Sequence, residues 1–132
     1  MSKIPSDISG LLHAGLLVSD LTAARAFYES VLGLKRLPRP DLPYPGEWYA
    51  LSAHQHLHLM QLPNPDQASI RPAHGGRDRH IAFGVGAIEP LTARLDTANI
   101  AYTLSRSGRA ALFCCDPDGN TLEFVENKSV SD

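Results

Sequence analysis

HAGLLVSDLTAARAFYESV (residues 13–31) lies over HIAFGVGAIEPLTARLDTA (residues 80–98) when His13 is set on His80, a shift of 67 positions (80 − 13). This internal repeat decides the fold. Each copy opens with apolar side chains at period two, Leu12, Ala14, Leu16 and Val18 in the first and Ile81, Phe83 and Val85 in the second. Such alternation makes a strand with one face toward a core and places each histidine on the other face. The period then changes. Leu21, Ala24, Tyr28 and Val31, like Ile88, Leu91, Leu95 and Ala98, recur at helical spacing, so a helix follows each strand and covers the sheet with its apolar stripe. Ser19 or Asp20 can cap the first helix, Pro90 suits the start of the second, and Gly33 and Asn99 suit the stops.

Three further strands are expected in each half: 34–37, 47–51 and 55–61, then 100–105, 109–115 and 121–126. RLPRPDLPYPG (36–46) carries prolines that a central strand excludes and reads as an exposed loop over one end of the sheet. DPDGN (116–120) reads as the turn before the last strand. The last strands of the halves also align, LHLMQ (57–61) over LEFVE (122–126), which sets His58 on Glu123 at a shift of 65 (123 − 58). The apolar pairs Leu57 with Leu59 and Leu122 with Phe124 then face the helices, while His58 and Glu123 face away. The expected architecture is a single α+β domain over 1–132, in which two βαβββ modules form a curved mixed sheet around a cleft. Module one spans about 9–61, a polar connection 62–77, and module two about 78–127.

Composition narrows the function. A chain of 132 residues, 43% hydrophobic, can bury a core without disulfides. With 12 basic and 14 acidic residues it lacks the positive excess that nucleic acid requires. The opening MSKIPSDISG lacks the apolar run of a leader, and no segment reaches the roughly 18 apolar residues of a membrane helix. A cytoplasmic protein acting on a small molecule is expected, with neither membrane nor nucleic acid as partner. The adjacent Cys114 and Cys115 point to opposite faces of a strand and read as buried apolar residues without redox chemistry.

If the two modules enclose a cleft, His13, His58, His80 and Glu123 all project into it. Three imidazoles and a carboxylate are costly to gather unless a cation satisfies them, so the quartet is expected to bind one divalent metal. Gly15, Ala82 and Gly84 on the same faces are small and leave room for a ligand. His54, His56 and His58 share one strand face, and His56 is an alternative to His58, which the repeat selects. His74 reads as a solvent-facing loop residue, and HGGRDR (74–79) lacks phosphate-loop spacing. Trp48, Tyr49, Met60 and Phe113 are candidates to line the cleft, although strand aromatics and methionines are more often core.

HAGLLVSDLTAARAFYESVLGL, DRHIAFGV and DPDGNTLEFVE, together covering the span from about Gly10 to Glu126, resemble the module openings and endings of the vicinal-oxygen-chelate superfamily, the glyoxalase, bleomycin-resistance and extradiol-dioxygenase proteins. The resemblance is to a glyoxalase-like member. It implies metal positions at His13, His58, His80 and Glu123, an ion such as Ni, Zn, Mn, Co or Fe, and homodimers whose cleft forms within one chain or between modules of two chains. It also implies a metal-dependent lyase or isomerase acting on a substrate with adjacent oxygens, with Glu123 moving the proton. Histidine at 58 departs from the glutamate or glutamine of glyoxalase-I-like and epimerase-like members and leaves one ligand carboxylate. The alternatives are an Fe(II) extradiol-type dioxygenase using His13, His80 and Glu123, a fosfomycin-type thiol transferase in which Arg106 or Arg109 binds the substrate anion, and a drug- or metabolite-binding protein without catalysis.

Overall fold

In the computed structural model, which describes residues 6–66 and 70–127, the repeat appears as topology. The first five residues, 67–69 of the connection and the last five residues lie outside the described set. Strands β1 (His13–Val18), β2 (Lys35–Leu37), β3 (Gly46–Ala50) and β4 (His56–Gln61) form one four-stranded sheet in the order β1-β4-β3-β2. Strands β5 (Ile81–Val85), β6 (Tyr102–Leu104), β7 (Ala111–Cys115) and β8 (Thr121–Glu126) form the second, in the order β5-β8-β7-β6. Both sheets are mixed, because the first and last strands of each module run parallel and the others antiparallel. The architecture is α+β. No helix among the described residues is long and apolar enough to cross a membrane.

Helix α1 (Leu21–Arg25) starts at Asp20, whose Oδ1 accepts from the backbone N–H groups of Thr22 and Ala23 at 3.0 and 3.4 Å. It runs on as a wider π-helical segment (Ala26–Val31) that carries Phe27 and Tyr28 into the core. Gly33 follows with φ +78°, as its place at the helix exit requires. Helix α2 (Glu89–Thr97) has Pro90 in its first turn, and Asn99 at φ 62° ends the run. Leu12, which periodicity put in the first strand, lies just outside it and is 68% exposed. Its carbonyl still accepts from His56 N–H of β4 at 3.0 Å, so the backbone pairing reaches one residue beyond the strand while the side chain stays in solvent.

Leu57, Leu59, Leu122 and Phe124 are buried as the alternation requires, and one continuous core joins them to Val18, Leu21, Tyr28, Leu91 and Leu95. Tyr49 belongs to this core and is fully buried, so it does not line a cleft. Its position in β3 is one residue out of phase with Trp48, which faces the other side. Cys114 is buried, and burial pushes its thiol up to about 12. Cys115 corrects the expectation of two buried cysteines, because it is exposed on the opposite face, beside Thr121.

DPDGN does more than turn the chain. Asp116, buried, accepts the Tyr28 hydroxyl at 2.7 Å and the Asn120 side-chain amide at 2.9 Å on Oδ2, and the backbone N–H groups of Asp118 and Asn120 on Oδ1. Asn120 also donates to the Leu17 carbonyl at 3.0 Å, and Asp118 accepts from Ser19 N–H. The turn that begins β8 is thereby tied to the end of β1, so it docks one module on the other.

Candidate metal centre

On the face of the first sheet away from the helices, the His58 ring is stacked between two others. His13 lies on one side, with ring centroids 4.1 Å apart, and Trp48 on the other at 4.0 Å and 3° between planes. Strand register explains the sandwich, since Trp48 is the cross-strand partner of His58 and His13 starts the parallel neighbour β1. His56 sits beside it, with Nδ1 3.4 Å from His58 Nε2. His54 precedes β4 and is exposed, so it leaves the group. Burial, reinforced by the positive charges that His13, His56 and Arg39 would contribute, lowers the His58 pKa from 6.5 to about 4. The ring is therefore neutral near pH 7 and keeps a lone pair, the form in which imidazole binds metals.

On the second sheet, His80 and Glu123 meet. Glu123 is 4% exposed, with Oε1 3.2 Å from His80 Nε2 and Oε2 3.0 Å from Arg109 Nη2. His80 Nδ1 lies 2.8 Å from the Asp78 carbonyl. A carbonyl can only accept, so Nδ1 carries the proton and, in a neutral ring, Nε2 presents its lone pair to a carboxylate oxygen. Two acceptors at that distance call for a proton or a cation between them, and a backbone-oriented imidazole beside a buried carboxylate is suited to a metal ion.

The chain thus presents its four ligand-type residues as two pairs. Among the described residues, no group of three or more His, Cys, Asp or Glu side chains is placed to hold a metal ion. The common point expected for all four is not assembled within one chain. The physical reason is that each pair rides on its own sheet, and the two sheets share no hydrogen-bonded strand edge. Gly15, Ala82 and Gly84 are all exposed on these faces, and the nearest neighbours of the two glycines are side chains rather than backbone. A Cβ at Gly15 would meet the Met60 methyl at 3.3 Å, and one at Gly84 would meet Asn127 at 3.5 Å.

The remaining candidates fall beside the second pair, except Met60, which lies on the His58 face. Phe113 is buried, packed edge-on to His80 at 5.3 Å and to His74 at 5.2 Å. Arg106 and Arg109, with Arg77, line a cavity of about 740 Å³ that also reaches His80, Phe113 and Glu123. His74 is not the solvent-facing residue expected. It is half-buried, accepts from Gly76 N–H at 3.0 Å and lies 3.3 Å from the Leu104 carbonyl, so both ring nitrogens serve the local structure. Two features escape a reading by periodicity, the Arg109–Glu123 ion pair and the pairing of an aromatic with each ligand strand. The second had a signal in the repeat. Trp48 and Phe113 differ by 65 positions, the same shift as His58 and Glu123, and each is the register partner of that residue.

The His58 environment predicts a pH response in chelator-treated protein. Between about 6.5 and about 4 the unfolded chain takes up a proton that folded His58 refuses, so stability falls as pH falls through that window. His58→Phe keeps an aromatic in the stack but cannot titrate. Urea denaturation at about pH 7 and about pH 4.5 should show a smaller loss for the variant than for wild type. Equal losses would mean that His58 is not the source.

The fold has counterparts among known proteins. The sequence model of the Glyoxalase/Bleomycin resistance protein/Dioxygenase superfamily matches residues 10–124. Among curated proteins, the chain is 29% identical to glyoxylase I 4 of Arabidopsis thaliana, over 96% of this chain and 75% of that one. It is also 29% identical to the lactoylglutathione lyase of Haemophilus influenzae, over 91% and 94% respectively. A glyoxalase family protein from Bacillus anthracis, solved by crystallography, superposes with a TM-score of 0.73 at 26% identity, covering 95% of this chain and all of that one.

Proposed function

We propose that this chain, which belongs to the glyoxalase/bleomycin resistance protein/dioxygenase superfamily, is a divalent-metal-dependent lyase or isomerase whose centre is built from module one of one chain and module two of a second. Its substrate is a small molecule with adjacent oxygens. The observation that carries the reading is the division of the ligand set into the His13–His58 and His80–Glu123 pairs. Two donors are too few for a transition-metal site, whereas two imidazoles joined to an imidazole and a carboxylate make a full set. A twofold-symmetric homodimer would join the halves twice.

A Ni, Zn, Mn, Co or Fe ion held by His13, His58, His80 and Glu123 would polarise the substrate's adjacent oxygens and stabilise the charge that develops when a neighbouring C–H proton leaves. Glu123 is the base. Its burial removes competing water, and one carboxylate oxygen takes the proton and returns it to the product. Because residue 58 is histidine, no second carboxylate stands opposite, and one residue both removes and delivers the proton. Trp48 and Phe113, the register partners of His58 and Glu123, supply apolar walls that keep solvent away. Element analysis of the native protein beside His58→Ala should find a divalent metal that the variant loses, and the metal-loaded protein should turn over a hemithioacetal. Failure to retain Ni, Zn, Mn, Co or Fe, with no turnover in the presence of any of them, would remove this reading.

One observation favours a second reading. Arg77 and Arg106 bring positive charge to the cavity beside the Arg109–Glu123 pair, as thiol transfer to a phosphonate-bearing epoxide requires. Protection of sensitive cells from fosfomycin by expression of the chain would rank it first.

A further inference from the structure

We infer that Arg109 competes with the divalent ion for Glu123, so that metal entry requires its guanidinium to leave the carboxylate. This inference rests on the metal-binding reading above. Arg109 Nη2 holds Glu123 Oε2 at 3.0 Å, and the two differ sharply in burial, the glutamate side chain being 5% exposed and the arginine 59%. A buried acid is therefore neutralised by a cation that reaches in from the surface. That cation sits on the hairpin between β6 and β7, where Gly108 takes φ +84°. Its local partner there is the Ser107 hydroxyl, which accepts from Arg109 Nε at 3.2 Å and from its backbone N–H at 3.4 Å. These contacts travel with the loop, so they do not fix Arg109 to the sheet that carries Glu123.

Charge decides between a competitor and a helper. A partner that hydrogen-bonds a ligand carboxylate can orient it, but one that also carries a positive charge opposes an arriving cation. Glu123 is the single carboxylate of the proposed ligand set, and the other half of that set already has Arg39 acting on His58. A divalent ion arriving at His80 Nε2 and Glu123 Oε1 would face a guanidinium on the same carboxylate, with one negative charge between two cations. Displacement of Arg109 relieves that repulsion. The adjoining cavity, which Arg109 already lines, offers solvated space for it. The chain thus carries its own stand-in for the ion, which keeps a buried carboxylate from being left unpaired when metal is absent.

Zn(II) titration of chelator-treated wild type, Arg109→Ala and Arg109→Lys, read by competition with a chromogenic chelator, tests the inference without substrate. Arg109→Ala should bind Zn(II) roughly tenfold more tightly than wild type, because metal no longer displaces a charge-assisted bond. Arg109→Lys should fall between them. Before metal is added, Arg109→Ala should melt below wild type, and that difference should vanish in a Glu123→Gln background, where no charge remains to be neutralised. Unchanged or weaker Zn(II) binding by Arg109→Ala would overturn the inference and make Arg109 a bystander or an orienting partner. Wild type that binds Zn(II) while Arg109→Ala gains nothing removes the inference alone. Wild type that binds no metal removes the proposed function with it.

Discussion

Mixing His58→Ala chains with Glu123→Gln chains, with subunit exchange verified by capture of a tagged partner, is expected to recover about a quarter of the wild-type metal content and turnover. Each variant alone is expected to lose activity by a factor on the order of a hundred or more, since each lacks a proposed ligand. Recovery follows from which halves meet. If module one of each chain works with module two of the other, a mixed dimer contains one centre with both substitutions and one with neither. Random exchange makes about half of the dimers mixed, and half of their centres intact. A centre built within one chain behaves differently, because every chain in the mixture then carries a defect in its own site. No recovery despite verified exchange would therefore discard the shared centre. Metal content gives the same reading as turnover and does not depend on knowing the substrate.

Asp116→Ala is expected to cost about 3–5 kcal/mol of folding stability, the largest effect anticipated for a residue outside the candidate centre. The carboxylate is 5% exposed and accepts from the Tyr28 hydroxyl, the Asn120 amide and the backbone N–H groups of Asp118 and Asn120. Alanine would leave those donors without their acceptor, and the Tyr28 hydroxyl belongs to a fully buried residue. Burial and the neighbouring Asp116 charge also hold that hydroxyl far above the ordinary tyrosine pKa, so it remains a donor at any working pH. Tyr28→Phe, which removes one donor and keeps the ring, should cost only about 1 kcal/mol. Urea denaturation of the three proteins checks the order. A loss below about 1 kcal/mol for Asp116→Ala would show that the turn is not what docks the modules.

Both expectations turn on contacts of different range, and so does the legibility of this chain. Period two in Leu57–Leu59 and Leu122–Phe124, helical spacing in Leu91–Leu95, and the caps at Asp20 and Asn99 are properties of neighbouring residues, and the structure follows them within a residue or two. The doubling of these patterns determined two like sheets and put His13, His58, His80 and Glu123 on the faces away from the helices. Face is a local quantity, set by the alternation of a strand. Convergence is not. Whether four outward side chains share one point depends on how one sheet is turned against the other, which hangs on the Tyr28–Asp116 and Asn120–Leu17 contacts across 88 and 103 positions. Likewise, the binding of Glu123 by a loop arginine and the burial of His58 between His13 and Trp48 are set by folding in three dimensions. The sequence alone determined the elements, their repetition and the ligand-type residues, because each is written in local periodicity. That those residues stand as two pairs depends on the orientation of whole sheets, which no local periodicity carries.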